Sequence, residues 1–108
     1  MSNESLLPVH PKYATNQNCK LTSRQKVLAC LIFAISARYN QPVDEKTKLG
    51  DGGLGLDATM IKTDLYATVV IAVHQAGCQL RSFGPDDIAL CKTVGDIADA
   101  VWKDLLAL

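Results

Sequence analysis

Two apolar stripes at helical spacing stand on either side of a seventeen-residue connection that carries no stripe of its own, and this restricts the fold more than anything else in the chain. The first stripe is Val27, Leu28, Leu31, Ile32 and Ile35; the second is Ile61, Leu65, Val69, Ala72 and Ala76. Apolar residues three and four apart lie on one face of a helix, so each stripe predicts a helix with one buried side. The connection, residues 40–56, ends in the glycine-rich run Leu49-Gly50-Asp51-Gly52-Gly53-Leu54-Gly55-Leu56. Loops this long in small domains are functional or are held down by their own apolar residues. Leu49, Leu54 and Leu56 are the residues placed to hold this one.

Caps bound the elements. Thr22 followed by Gln25 has capping-box spacing at the start of the first helix, and Pro42 biases the chain out of helical geometry near Tyr39. Asp57 is a suitable N-cap for the second helix and Gly77 a suitable stop. Residues 68–73 are β-branched and apolar all round, which also suits a buried strand. The flanking caps and the stripe from 61 to 76 favour helix. Pro85-Asp86-Asp87 opens a short third helix, with proline and acids where a helix start takes them. Thr93 and Asp96 form a further box before a last helix whose stripe is Val94, Ile97, Ala98, Val101, Leu105 and Leu108. Trp102 reads as an anchor at the core edge. The expectation is all-α: a four-helix bundle with a short third helix and a long loop between helices 1 and 2. Residues 1–20 are polar and aperiodic and read as a flexible arm, leaving 21–108 as the domain.

Composition narrows the function classes. A length of 108 residues fits one domain. Eleven basic and eleven acidic residues cancel, which argues against a dedicated nucleic-acid binder. No apolar run reaches the ~20 residues of a membrane span, and no secretory leader is recognised, so a cytoplasmic location is expected. The four cysteines, at 19, 30, 78 and 91, have no metal-ligand spacing and are expected to be reduced and structural, with no metal site.

Gly50, Gly52 and Gly55 satisfy G-x-G-x-x-G before a helix, but residues 43–48 form no buried strand and Gln75 occupies the position of the ribose-binding acid. The glycine pattern alone is a weak signal, and nucleotide binding is not expected. Asp51 and Asp57 lack the alternating acids and distal glutamate of a calcium loop. His10 falls in the arm, and His74 shares a face with Thr63, Ala67 and Val70; neither has a nucleophile beside it. No catalytic constellation is present, and an enzyme is not expected.

The order of these features resembles the acyl carrier proteins. Gly55-Leu56-Asp57-Ala58-Thr59-Met60 resembles the family's G-x-D-S-[LIV] attachment motif, with Gly55 and Asp57 in place. Gly77-Cys78-Gln79-Leu80 resembles the turn after the second helix, Pro85-Asp86-Asp87 the acidic start of the third, and Cys91-Lys92-Thr93-Val94 the lead into the fourth. The resemblance covers the chain from Thr22 onward. It implies a small carrier of fatty acid or polyketide biosynthesis type, presenting an acyl or aminoacyl group on a phosphopantetheine arm at position 58. Asp57, Thr59, Met60 and Ile61 would flank the arm. Partners would be a phosphopantetheinyl transferase and acyl- or aminoacyl-transferring enzymes, docking on Thr63, Ala67, Val70, Ile71 and His74.

Three departures qualify what the resemblance implies. Ala58 has no hydroxyl to esterify, so the arm is possible only where residue 58 is natively serine; Ala58 is either an engineered replacement of that serine or the mark of a degenerate carrier. The second helix lacks the family's acidic outer face, with only Asp57 and Asp64 nearby. It is also longer than usual, and an insertion follows Leu80. A non-carrying interaction or regulatory module with the same fold is the alternative reading, and a plain helical domain is the third.

Overall fold

The computed structural model describes residues 16–106. Its elements are α1 (Arg24–Tyr39), α2 (residues 58–75), α3 (Pro85–Ala89) and α4 (Val94–Leu106), with no strand among the described residues. Helix α2 is continuous but not uniform: Ala58–Met60 and Tyr66–Gln75 are α-helical, and Ile61–Leu65 is a π turn between them. The competing strand at 68–73 is not formed.

The stripes build the core. Val27, Leu31 and Ile35 of α1 meet Leu65, Val69 and Val73 of α2 and Val94, Ile97, Ala98 and Val101 of α4, all fully buried, with Ile88 of α3 beneath them. Val73, outside the expected stripe, is buried because α2 is apolar over more than one face. Leu28, Ile32, Ile61, Ala76 and Trp102 sit half-buried at the margin, and Leu108 lies outside the described residues.

The first cap differs from expectation by one residue. Ser23, not Thr22, caps α1, its Oγ accepting from Lys26 N–H at 3.2 Å, while Thr22 Oγ1 accepts from Lys26 Nζ. Ser23 has Lys26 and not Glu or Gln three residues on, so the box spacing singled out Thr22; sequence sets helix ends only to within a residue or two. At its other end α1 stops on Asn40, which adopts the left-handed conformation at φ 54°. The Thr93–Asp96 box forms as expected, each backbone N–H bound by the other's side chain at 3.1–3.2 Å.

The long connection is pinned by Leu49, Leu54 and Leu56, all buried. Leu49 N–H donates to Lys92 C=O at 2.9 Å and Val94 N–H to Thr47 C=O at 3.0 Å, stitching the loop to the start of α4. Within the loop, Leu56 N–H returns to Leu49 C=O at 2.9 Å. This fold explains the glycines. Gly55 has φ +72°, and a Cβ on Gly53 would fall 2.0 Å from Lys48 O. They serve a tight turn and a close backbone approach.

Residues 16–20, expected in the arm, pack on the bundle. Asn16 donates to Leu105 C=O at 3.0 Å and accepts from Gln79 N–H at 2.8 Å, and Lys20 N–H donates to Ala76 C=O at 3.0 Å. Cys19 and Leu21 are buried. The rest of the expected arm, His10 included, lies outside the described residues.

One cysteine expectation is overturned. Cys19 and Cys78 form a disulfide across 59 positions of sequence, whereas Cys30 and Cys91 are free. Spacing alone did not signal the pair, because the strap that carries Cys19 meets the end of α2 only through tertiary packing.

Candidate functional site

The residues that the carrier resemblance singles out fall at the head of α2. Asp57 precedes the helix in extended conformation, and its Oδ1 accepts from Met60 N–H at 2.8 Å. That bond satisfies a donor which the first helical turn otherwise leaves open. Ala58 is the first helical residue and is exposed, as are Asp57 and Thr59. Met60 is 39% exposed, a large apolar side chain standing in solvent. Ile61 turns inward and begins the π turn.

Further along α2, Thr63, Ala67, Val70 and His74 recur at helical spacing on the outer face; all are exposed except the half-buried Val70. Ile71 is 55% exposed. The ten residues singled out thus form two groups, a head at 57–61 and an outer face at 63–74, joined through the π turn. That turn was not legible in the sequence. It places Asp64 against α1, where Asp64 accepts from Tyr39 Oη and from Arg38 Nη2, each at 2.6 Å. These two bonds, Tyr39 first, hold the Asp64 carboxyl below its ordinary range, and burial together with Asp64 pushes the Tyr39 hydroxyl up. Asp64 is therefore engaged within the bundle and adds little negative field outside. The head and outer face of α2 are close to neutral.

A groove of about 470 Å³ adjoins the head, lined by Lys48, Leu49, Gly50, Asp51, Ile61, Cys91, Lys92 and Thr93. No local pattern in the chain marks it, because it arises where the long loop meets the α3–α4 junction. Burial, with Asp96, Asp87 and Asp99 nearby, pushes the Cys91 thiol up to about 11. At neutral pH that thiol stays protonated and is a poor nucleophile. Burial also raises Cys30, whose Sγ donates to Ala72 C=O at 3.8 Å. Among the described residues no group of three or more His, Cys, Asp or Glu is arranged to hold a metal.

The fit to phosphopantetheine is decided by one atom. Ala58 ends in a methyl group, so nothing at the attachment position can form the phosphodiester; the neighbouring alcohol, Thr59, sits one residue further round the helix. Comparison with family models, curated proteins and solved structures returns no match for the chain. No helix among the described residues is long and apolar enough to cross a membrane.

Proposed function

We propose that the chain is an acyl-carrier-like protein that meets acyl- or aminoacyl-transferring enzymes through the head and outer face of α2, and that with Ala58 it does so without a phosphopantetheine arm. The observation that carries this reading is the exposed Ala58 at the first turn of α2, behind the Asp57 cap and at the end of a loop pinned by Leu49, Leu54 and Leu56. The element order and the short α3 support it. Met60, Thr63, Ala67, Val70, Ile71 and His74 form the contact surface in this reading. With little charge on that surface, long-range steering is weak and apolar contact supplies the affinity. At roughly 25 cal/mol per Å² of apolar area, burying even a modest patch is worth a few kcal/mol. Acyl chemistry belongs to the partners, not to this chain.

Gly55 and Asp57 favour a second reading, that of a true carrier whose residue 58 is natively serine. Both readings share one requirement: the surface around residue 58 must be recognised by carrier-handling enzymes. The test is intact-mass spectrometry of Ala58→Ser incubated with coenzyme A and a broad-specificity phosphopantetheinyl transferase, with the unaltered chain as control. A gain of one phosphopantetheine on the variant alone is expected. No gain on a variant that circular dichroism shows to be folded removes the carrier-like reading. Cytoplasmic residence belongs to this proposal too; in such a compartment a disulfide is transient and responds to redox state.

A further inference from the structure

The strap at 16–21 is joined to the bundle by one covalent bond and, among the described residues, by a small set of other contacts. Its other anchors among the described residues are the two side-chain bonds of Asn16, the backbone bond from Lys20 to Ala76, and the buried side chains of Cys19 and Leu21. The strap crosses the end of α2 at Gly77, where a Cβ would lie 2.7 Å from Asn18 O. It lies beside a groove of about 520 Å³ lined by His74, Gly77, Cys78, Gln79 and Leu80. Cys19, Leu21 and Cys78 belong to the hydrophobic core, but most of that core is formed by α1, α2 and α4. The fully buried residues of α1, α2 and α4 pack on one another, and α1 has its own cap in Ser23.

We propose that Cys19–Cys78 is a redox latch: reduction by a dithiol frees the strap from the C-terminal end of α2 while the four-helix core stays folded. The thiolate of the reductant attacks one sulfur of the disulfide, and the other leaves as a thiolate and takes up a proton. The reductant's second thiol then displaces the mixed disulfide. Two electrons and two protons pass to the protein, giving the Cys19 and Cys78 thiols, and the reductant ends as its own disulfide. Without the cross-link the remaining contacts leave the strap among the least stable parts of the native state, of the kind that opens locally without global unfolding. The latch is independent of the carrier reading, since it involves neither residue 58 nor a partner.

The test is hydrogen–deuterium exchange on the full chain, oxidised and then reduced with dithiothreitol, with free thiols counted by alkylation and mass in both states. Reduction is expected to bring the Lys20 and Gln79 amides to within about tenfold of free-peptide exchange, while α1 and α4 remain strongly protected. Cys19→Ser is expected to behave like the reduced protein without any reductant. Three results overturn the latch: a strap that stays protected after reduction, a core that loses its protection along with the strap, or a bond that dithiothreitol leaves intact in the folded protein.

Discussion

At its N-terminal end α2 is capped by Asp57 and leaves Ala58 and Thr59 exposed, and its next turn is held through Ile61 and the bonds from Tyr39 and Arg38 to Asp64. At its C-terminal end it closes in a turn, is crossed by the strap and is joined to it by Cys19–Cys78. The closing turn is built on Gly77 at φ +80°, with Cys78 N–H donating back to Val73 C=O at 3.1 Å. Beyond it the chain is held again, as Asp104 accepts from the backbone N–H groups of Arg81, Ser82 and Phe83 and from Ser82 Oγ. One helix thus separates two tasks. The buried Leu65, Val69 and Val73 hold α2 in the bundle, the disulfide ties the strap to its C-terminal end, and the first turn presents Ala58 and Met60.

The largest effect should come from removing the clamp. Replacing both Cys19 and Cys78 by serine opens a loop of 59 residues, which in the chain-entropy account is worth about 4 kcal/mol. Urea unfolding should show that loss with the helical circular dichroism of the native state unchanged. Next comes Gly77→Ala, which forces a side chain into left-handed backbone and against Asn18 O, at a cost of about 2 kcal/mol. In the serine double variant the same substitution should cost about half as much, because the strap can then move aside.

Asp104 gives a smaller effect with a defined pH dependence. Burial pushes its carboxyl up, but the bonds from Ser82, Phe83 and Arg81 together outweigh burial and leave it below the ordinary 3.8. The unfolded chain therefore takes up a proton at this group before the folded one does. Its contribution is fully present above the unfolded value and is lost as pH falls through the lower folded value. Asp104→Asn should cost about 1–2 kcal/mol at neutral pH and flatten the decline of stability below pH ~4. The smallest effect belongs to the open end: Asp57→Ala should cost about 1 kcal/mol, seen as a small drop in the urea midpoint. A loss at Asp57 as large as that at the clamp would break the comparison.

The helices could be read from the chain because their signals are local. Val27, Leu31 and Ile35, the Asp57 cap, the Thr93–Asp96 box and the three pinning leucines each act within a few residues of sequence or through burial of their own side chains. What the sequence hid depends on neighbours brought close by the fold. The π turn goes with Asp64 reaching Tyr39 and Arg38, some 25 positions away. The disulfide and the strap depend on residue 19 meeting residue 78, which no spacing rule announces. Val73 was missed for a different reason: where a helix is apolar on several faces, periodicity does not say which side is inside. At the candidate site the exposure of Asp57, Ala58 and Thr59 follows from a local cap, but the groove beside Ile61 does not, since it needs the loop and the α3–α4 junction together.

The most direct test of the unequal ends is to count thiols by mass. The protein is unfolded in guanidinium with iodoacetamide, once without reductant and once after full reduction. Two alkyl groups, on Cys30 and Cys91, are expected without reductant, and four after it. Four groups without reductant, or a cross-linked peptide joining any pair other than Cys19 and Cys78, would contradict a covalent clamp at the C-terminal end of α2.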